Sequence, residues 1–217
     1  WQVHGLIGAS GTCNPVTHSQ EKAKVNLSML LRATARMAML SVLSLPVPVL
    51  AAEYDIDLSH SFIQFRISHL GYSVLNGRFN QFAGKFAWDE ANPPASRIEV
   101  VVDTASMDSN WAERDKHLRS ADFLDVEKFP QATFSSTKYT GDAKGGNMEG
   151  NLTLHGITKS LTLEVEFVGA GPDPWGGHRA GFKARTTLRR ADFGITYELG
   201  PTAESMEFDL FVEGVRK

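Results

Sequence analysis

From residue 54 onward, apolar and polar residues alternate with period two, the pattern of a strand with one dry and one wet face. Ile63, Phe65 and Ile67 alternate with Gln64, Arg66 and Ser68. The same rhythm places Phe82, Gly84, Phe86 and Trp88 on one face, then Ile98, Val100 and Val102, then Met148, Leu152 and Leu154. Leu161, Leu163, Val165 and Phe167 continue it, followed by Phe182, Ala184 and Leu188, and finally Met206, Phe208, Leu210 and Val212. A weaker strand spans 131–140 around Phe134, and another spans 54–58, giving about nine candidate strands in all.

Turn signals separate the strands: Asn76-Gly77, Asn92-Pro93-Pro94, Gly145-Gly146, His155-Gly156 and Gly171-Pro172-Asp173-Pro174. Short consecutive strands joined in this way predict an antiparallel meander, and closing it into a barrel removes the exposed edges. The opposite faces carry Lys, Arg, Glu and Thr, so the expected barrel is wet outside, the reverse of a lipid-facing wall. One stretch, 108–125, lacks alternation and is rich in helix formers. Asn110 followed by Glu113 suggests a capping box, and Trp111 and Leu118 would share a face. This predicts one or two short helices across one barrel end, either as a plug for the core or as a lid over an entrance.

Composition narrows the reading. The 217 residues carry a net charge of −3, which argues against a nucleic-acid partner. Cys13 is the only cysteine, so disulfide staples and cysteine-based zinc sites are excluded. No apolar run reaches the length of a membrane-spanning helix. The chain is nonetheless divided. Residues 1–28 are polar and precede Met29; we read them as an upstream extension. In residues 29–52 a basic start (Arg32, Arg36), an uncharged apolar stretch over 37–50 and Ala51-Ala52 form the pattern of a secretory signal peptide. The expected mature domain is 53–217, which holds all 13 phenylalanines, 18 basic and 24 acidic residues.

Within that domain a series of short motifs occurs in order: Tyr54-Asp55-Ile56-Asp57, His60-Ser61, Gly77-Arg78-Phe79, Arg114-Asp115-Lys116-His117-Leu118, Asp122-Phe123, Lys128-Phe129-Pro130, Gly150 to Lys159 around His155-Gly156, and Arg190-Ala191-Asp192-Phe193-Gly194. Together they resemble the YceI-like family of bacterial polyisoprenoid-binding proteins. The resemblance implies a mainly β fold, an eight-stranded antiparallel lipocalin-like barrel, with periplasmic location and a long isoprenoid lipid or quinone as ligand. It implies no catalytic cofactor, and it leaves open a membrane-protein donor or acceptor and a monomer or homodimer. The family's acidic-plus-glycine pattern before the last strand is altered here to Pro201-Thr202-Ala203-Glu204-Ser205.

An eight-stranded barrel is wide enough either to be filled by its own side chains or to hold one slender ligand. The expected lining is Phe65, Phe82, Phe86, Val100, Val102, Phe134, Leu152, Leu154, Leu163, Val165, Phe182, Ala184, Phe208 and Leu210, with Leu118, Phe123 and Phe193 joining from the lid and its neighbouring loop. Arg114, Asp115, His117 and Arg190 are candidates for reading a head group, or equally for tying loops together. Catalysis is the rival class: Asp57, His60 and Ser61 would suit a triad only if the fold aligned them. No Gly-x-Ser-x-Gly, His-Glu-x-x-His or nucleotide-binding glycine loop is present, and no metal ligands are expected.

Overall fold

The structure is a computed structural model that describes residues 51–217. The upstream extension and nearly all of the expected signal peptide lie outside the described residues. Eleven strands are present among the described residues: β1 (Ala52–Ile56), β2 (Phe62–His69), β3 (Ser73–Phe79), β4 (Phe82–Trp88), β5 (Arg97–Asp103), β6 (Met107–Asp108), β7 (Gln131–Gly141), β8 (Gly145–Leu154), β9 (Ile157–Pro172), β10 (His178–Arg189) and β11 (Ser205–Arg216). One α-helix, α1 (Ala112–Arg119), lies between β6 and β7.

Eleven strands make eight staves. β11 pairs with β2 through Glu207–Phe211 and with β1 through Gly214–Arg216, so β1 and β2 form one long stave interrupted at 57–61. β3 and β4 continue each other opposite it, paired to β2 and β1 respectively, and β5 and β6 form the third stave. The remaining staves are β7, β8, β9, β10 and β11, each antiparallel to the next, and the β1–β11 pairing closes the barrel. The outer wall carries cross-strand ion pairs such as Lys85–Glu99, Lys183–Glu166 and Arg66–Glu207.

Two local expectations are overturned. Asn76-Gly77 is not a turn but the middle of β3; the chain reverses at Leu70 (φ 55°) and Gly71 (φ 78°) instead. Glycine is needed at 77 for packing: a Cβ there would lie 2.2 Å from Phe65 Cζ. Nor does Asn110 cap α1. It takes a left-handed conformation (φ 64°) one residue before the helix boundary, Trp111 stands at the N-cap without a side-chain bond, and Trp111 is exposed. The helix is instead fixed by Asp115, which accepts hydrogen bonds from the Ser109 N–H (2.9 Å) and hydroxyl.

The two barrel ends are built differently. At one end, bordered by the 89–96, 142–144 and 173–177 turns, an aromatic cluster fills the bore: Tyr54 stacks on Phe86 (4.9 Å between ring centres), and Trp88 stacks on Phe167 (5.5 Å) and meets Phe182 edge-on (5.1 Å). Gly214 makes room, since a Cβ there would sit 2.4 Å from the Phe86 ring. The other end is roofed by residues 109–130 and 190–204. His117, Phe123 and Tyr197 pack together across these two segments, with Phe123–Tyr197 ring centres 4.8 Å apart.

Candidate functional site: an apolar void beneath the roof

Many inward-facing side chains on the middle of the staves are only half-buried. On β5, Ile98, Val100 and Val102 keep partial exposure on the inner face; Phe134, Leu152, Leu154, Leu161, Met206, Phe208 and Leu210 do the same on the other staves. In a filled barrel such residues would be fully buried. Their uncovered surface faces an internal void of about 220 Å³. The strands supply it by alternation alone: every second residue points inward, and the sequence makes those positions apolar.

Of the expected lining residues, Phe82, Phe86, Val100, Val102, Phe134, Leu152, Leu154, Leu163, Val165, Phe182, Ala184, Phe193, Phe208 and Leu210 border the void. Three do not. Phe65 is buried beside it, its ring packed over Gly77 and against Phe79 and Phe208 (5.9 and 6.0 Å). Leu118 and Phe123 belong to the roof, where Phe123 is covered by His117 and Tyr197. The wall also includes residues absent from the expected lining. Ile63, Trp88, Ile98, Met148, Met206 and Val212 follow from the same alternation. Phe79, Leu124 and Ile195, at strand ends or in loops, carry no periodic signal.

The head-group candidates are loop ties. Arg114 donates to the Ser109 hydroxyl (2.7 Å) and carbonyl (2.5 Å), and Asp115 is buried on Ser109. His117 Nε2 bonds Asp122 (2.8 Å). None of these three borders the void. Arg190 does, but its guanidinium is committed to the roof: Nε donates to the Ala203 carbonyl (2.7 Å) and Nη1 to those of Tyr197 (3.1 Å) and Ile195 (3.4 Å). Burial pulls its pKa below the ordinary arginine value. The altered 201–205 segment is thereby held in place, with Ala203 buried and the Glu204 carbonyl accepting from the Arg190 N–H (3.0 Å). Another family-like motif closes the same end: His155 bonds the Phe193 carbonyl (3.0 Å) and its ring packs on Phe129 (4.6 Å).

The triad suggested by Asp57, His60 and Ser61 does not assemble. Ser61 is buried and exchanges hydrogen bonds with the Glu213 main chain (3.1 and 2.9 Å). His60 Nδ1 faces Asp57 (2.9 Å) and the Ser59 hydroxyl (3.0 Å) with one nitrogen, which cannot relay a proton between them. Asp57, His60 and Glu213 do converge closely enough to hold a cation. That place is taken by Arg179, which reaches Asp57 (2.7 Å), Glu213 (2.5 Å) and Asp173 (3.2 Å). Hydrogen bonds from Ser59, Arg179 and His60 hold the Asp57 carboxyl well below the usual carboxylate range.

The YceI-like domain family matches residues 54–213. This chain belongs to it. A UPF0312 protein of Pseudomonas aeruginosa is 50% identical over 191 residues, which is 87% of this chain and 100% of the relative. A UPF0312 protein of Yersinia enterocolitica is 56% identical over 168 residues, 76% of this chain and 88% of the relative. Among solved structures, the Campylobacter jejuni YceI protein superposes with a TM-score of 0.63 at 29% identity, covering 70% of this chain and 90% of that one. BcnA of Burkholderia cenocepacia (TM-score 0.66, 21% identity, 73% and 98% covered) shares the fold. So does a structure described as a polyisoprenoid binding domain from Saccharophagus degradans (TM-score 0.57, 16% identity, 77% and 99% covered).

Proposed function

We propose that this YceI-like barrel binds the tail of a long-chain isoprenoid lipid, a polyprenyl phosphate or an isoprenoid quinone, as a periplasmic carrier, store or scavenger. The observation that carries the reading is the void: about 220 Å³, walled by apolar side chains, inside a barrel whose other face is charged. An apolar cavity of about 150 Å³ stays dry and accepts a small apolar guest, so the present one has a driving force to take hydrocarbon. The name of the Saccharophagus neighbour supports the isoprenoid class, and the leader-like pattern over 29–52 supports export.

Energetics favour tail over head. Burying one five-carbon unit gives roughly 4 kcal/mol gross at about 0.8 kcal/mol per methylene. A micromolar complex needs about 8 kcal/mol net, after association costs of about 4–15 kcal/mol. Four to six units, as an order of magnitude, meet that requirement without an ionic contact, and the void wall offers its head-group candidate Arg190 only as one already engaged by carbonyls. A void this size lies below the roughly 300–1,000 Å³ of ordinary ligand sites, so it seats the first units and the roof loops move to admit the rest. The test is native mass spectrometry of protein from a bacterial periplasm with organic extraction of the bound lipid, followed by titration with tails of increasing length. Affinity is expected to climb with each unit. Affinity that ignored tail length but vanished on changing the head would end this reading.

A further inference from the structure

Where β2 runs into β3, the neighbouring strands stop short. β11 pairs with β2 no further than Arg66, and β6 meets β3 only at Arg78 and Phe79. Residues 67–77 are left as a two-stranded ribbon, and no Asp, Glu, Lys or Arg lies between Arg66 and Arg78. Its turn is fixed: the Tyr72 N–H donates to the His69 carbonyl (2.9 Å), and the Gly71 N–H to the Ser68 hydroxyl (3.3 Å). That turn holds Leu70 in the left-handed region (φ 55°), where a leucine is strained. It gains no burial in return, because Leu70 is 55% exposed, Val74 57% and Tyr72 87%. Three large apolar side chains thus face water on one uncharged ribbon.

The ribbon stands at the roofed end. A Cβ on Gly200 would lie 3.6 Å from Leu70 Cδ2, and one on Gly71 would lie 3.9 Å from Thr202 Cγ2. The turn therefore rests on the 200–203 segment, which Arg190 ties to the void wall. Two further exposed aromatics, Trp111 and Tyr197, belong to the roof segments themselves. The aromatic end is different. Its turns carry Asp89, Glu90, Asp142, Lys144 and Asp173, and its exposed Trp175 pairs with the Arg179 guanidinium (5.4 Å to the ring centre).

We propose that the roofed end docks on the neutral surface of a lipid bilayer, with Leu70, Tyr72 and Val74 entering the boundary between head groups and acyl chains, and that bound lipid exchanges there. Aliphatic side chains and a tyrosine, apolar in body and polar at its tip, suit that boundary. Charge selects the partner. Residues 109–130 and 190–204 carry eight acidic and five basic residues, a net charge of −3, which repels an anionic surface, while the uncharged ribbon accepts a zwitterionic one. Continuity with the void supplies the reason for docking, which rests on the tail-binding reading. Each five-carbon unit drawn into open water slows release by roughly a thousandfold, so a tail of several units leaves readily only where bilayer meets roof. Drawing Leu70 into lipid pulls on the 200–203 segment and, through Arg190, on the wall of the void.

The experiment is flotation of the full chain with phosphatidylcholine vesicles, with and without phosphatidylglycerol, paired with transfer of a fluorescent farnesyl probe from protein to acceptor vesicles. The wild type is expected to float with phosphatidylcholine and to float less as phosphatidylglycerol is added. Leu70→Asn, which suits the left-handed position better, and Tyr72→Asp should each weaken flotation about tenfold, whereas Trp175→Ser at the other end should not. The apolar stretch 37–50 is common to every variant, so the comparison isolates the ribbon. Both ribbon variants should keep the wild-type affinity for the probe in vesicle-free buffer while their transfer slows. Wild-type transfer should quicken with vesicle concentration, on which release through water would not depend. No flotation of the wild type, flotation unchanged in both ribbon variants, stronger flotation on phosphatidylglycerol, or transfer indifferent to vesicle concentration overturns docking. A wild type that floats, loses flotation in both ribbon variants and yet takes up no probe would uphold the surface and end the tail-binding reading, so the two failures are told apart.

Discussion

The two ends of this barrel solve the same problem, closing an apolar bore, by different physics. At the aromatic end the bore is filled: Trp88, Phe86, Phe182 and Tyr54 are in ring contact, and Arg179 clamps the adjoining strands through three carboxylates. At the roofed end the bore is left open and covered by loops, and the arginines there bind backbone carbonyls: Arg190 those of Ala203, Ile195 and Tyr197, Arg119 those of Ala105 (2.8 Å) and Met107, Arg114 that of Ser109. Filled packing resists opening, whereas a covered hollow leaves loops that can move without dismantling the ladders. The division assigns stability to one end and exchange to the other.

Truncation should separate them most sharply. Trp88→Ala empties a packed site and is expected to cost about 3–5 kcal/mol in urea unfolding. Phe134→Ala removes a ring that already faces the void, so the loss should be about 1–2 kcal/mol, accompanied by weaker tail binding. Equal costs at both positions would mean that the hollow is as tightly packed as the plug.

How much of this was legible in the sequence follows the same division. Alternation located the staves and most of the wall, because a strand's inward face is set by period two whatever its neighbours do. It failed where strands break. Asn76-Gly77 reads as a turn by local chemistry, but tertiary packing uses the glycine for its missing Cβ, under the Phe65 ring. Phe79, Leu124 and Ile195 reach the void from strand ends and loops, where no period places them. The roles of Arg114, Asp115 and Arg190 were open between head group and loop tie; what decides them is partners five to thirteen residues away, such as the Ala203 carbonyl for Arg190. Asp57, His60 and Ser61 lie close in sequence, but the break between β1 and β2 turns Ser61 onto the Glu213 main chain.

The roof depends on Arg190, and Arg190→Met tests how firmly. Methionine keeps the apolar stem against the void but strips donors from the Ala203, Tyr197 and Ile195 carbonyls. An unsatisfied buried polar group costs about 1–3 kcal/mol, and loop movement toward water should hold the loss to about 2 kcal/mol. Bound lipid should leave faster while the aromatic end keeps its hydrogen-exchange protection. If protection fell equally at Trp88 and Ile195, the two ends would be one cooperative unit and the division would be wrong.

The smallest effect is also the one that most directly opposes carboxylate to carbonyl. Asp57 is depressed by hydrogen bonds from Ser59, Arg179 and His60, and Asp173 by the Gly177 and Trp175 N–H groups and Arg179. A carboxylate that holds its charge more strongly when folded stabilises the fold above its unfolded pKa of about 3.9 and loses that contribution as pH falls below it. Arg179→Met removes part of this depression. The gap in urea midpoint between wild type and Arg179→Met should therefore be widest near neutral pH and narrow steadily below about pH 4, where protons replace the arginine as partners of Asp57 and Asp173. For Arg190→Met the partners are carbonyls, which do not titrate, so its gap should stay nearly flat over the same range. Parallel curves for the two variants would show that the clamp at the aromatic end works through packing of the Arg179 stem against Trp175 (5.4 Å to the ring centre) and not through its charge.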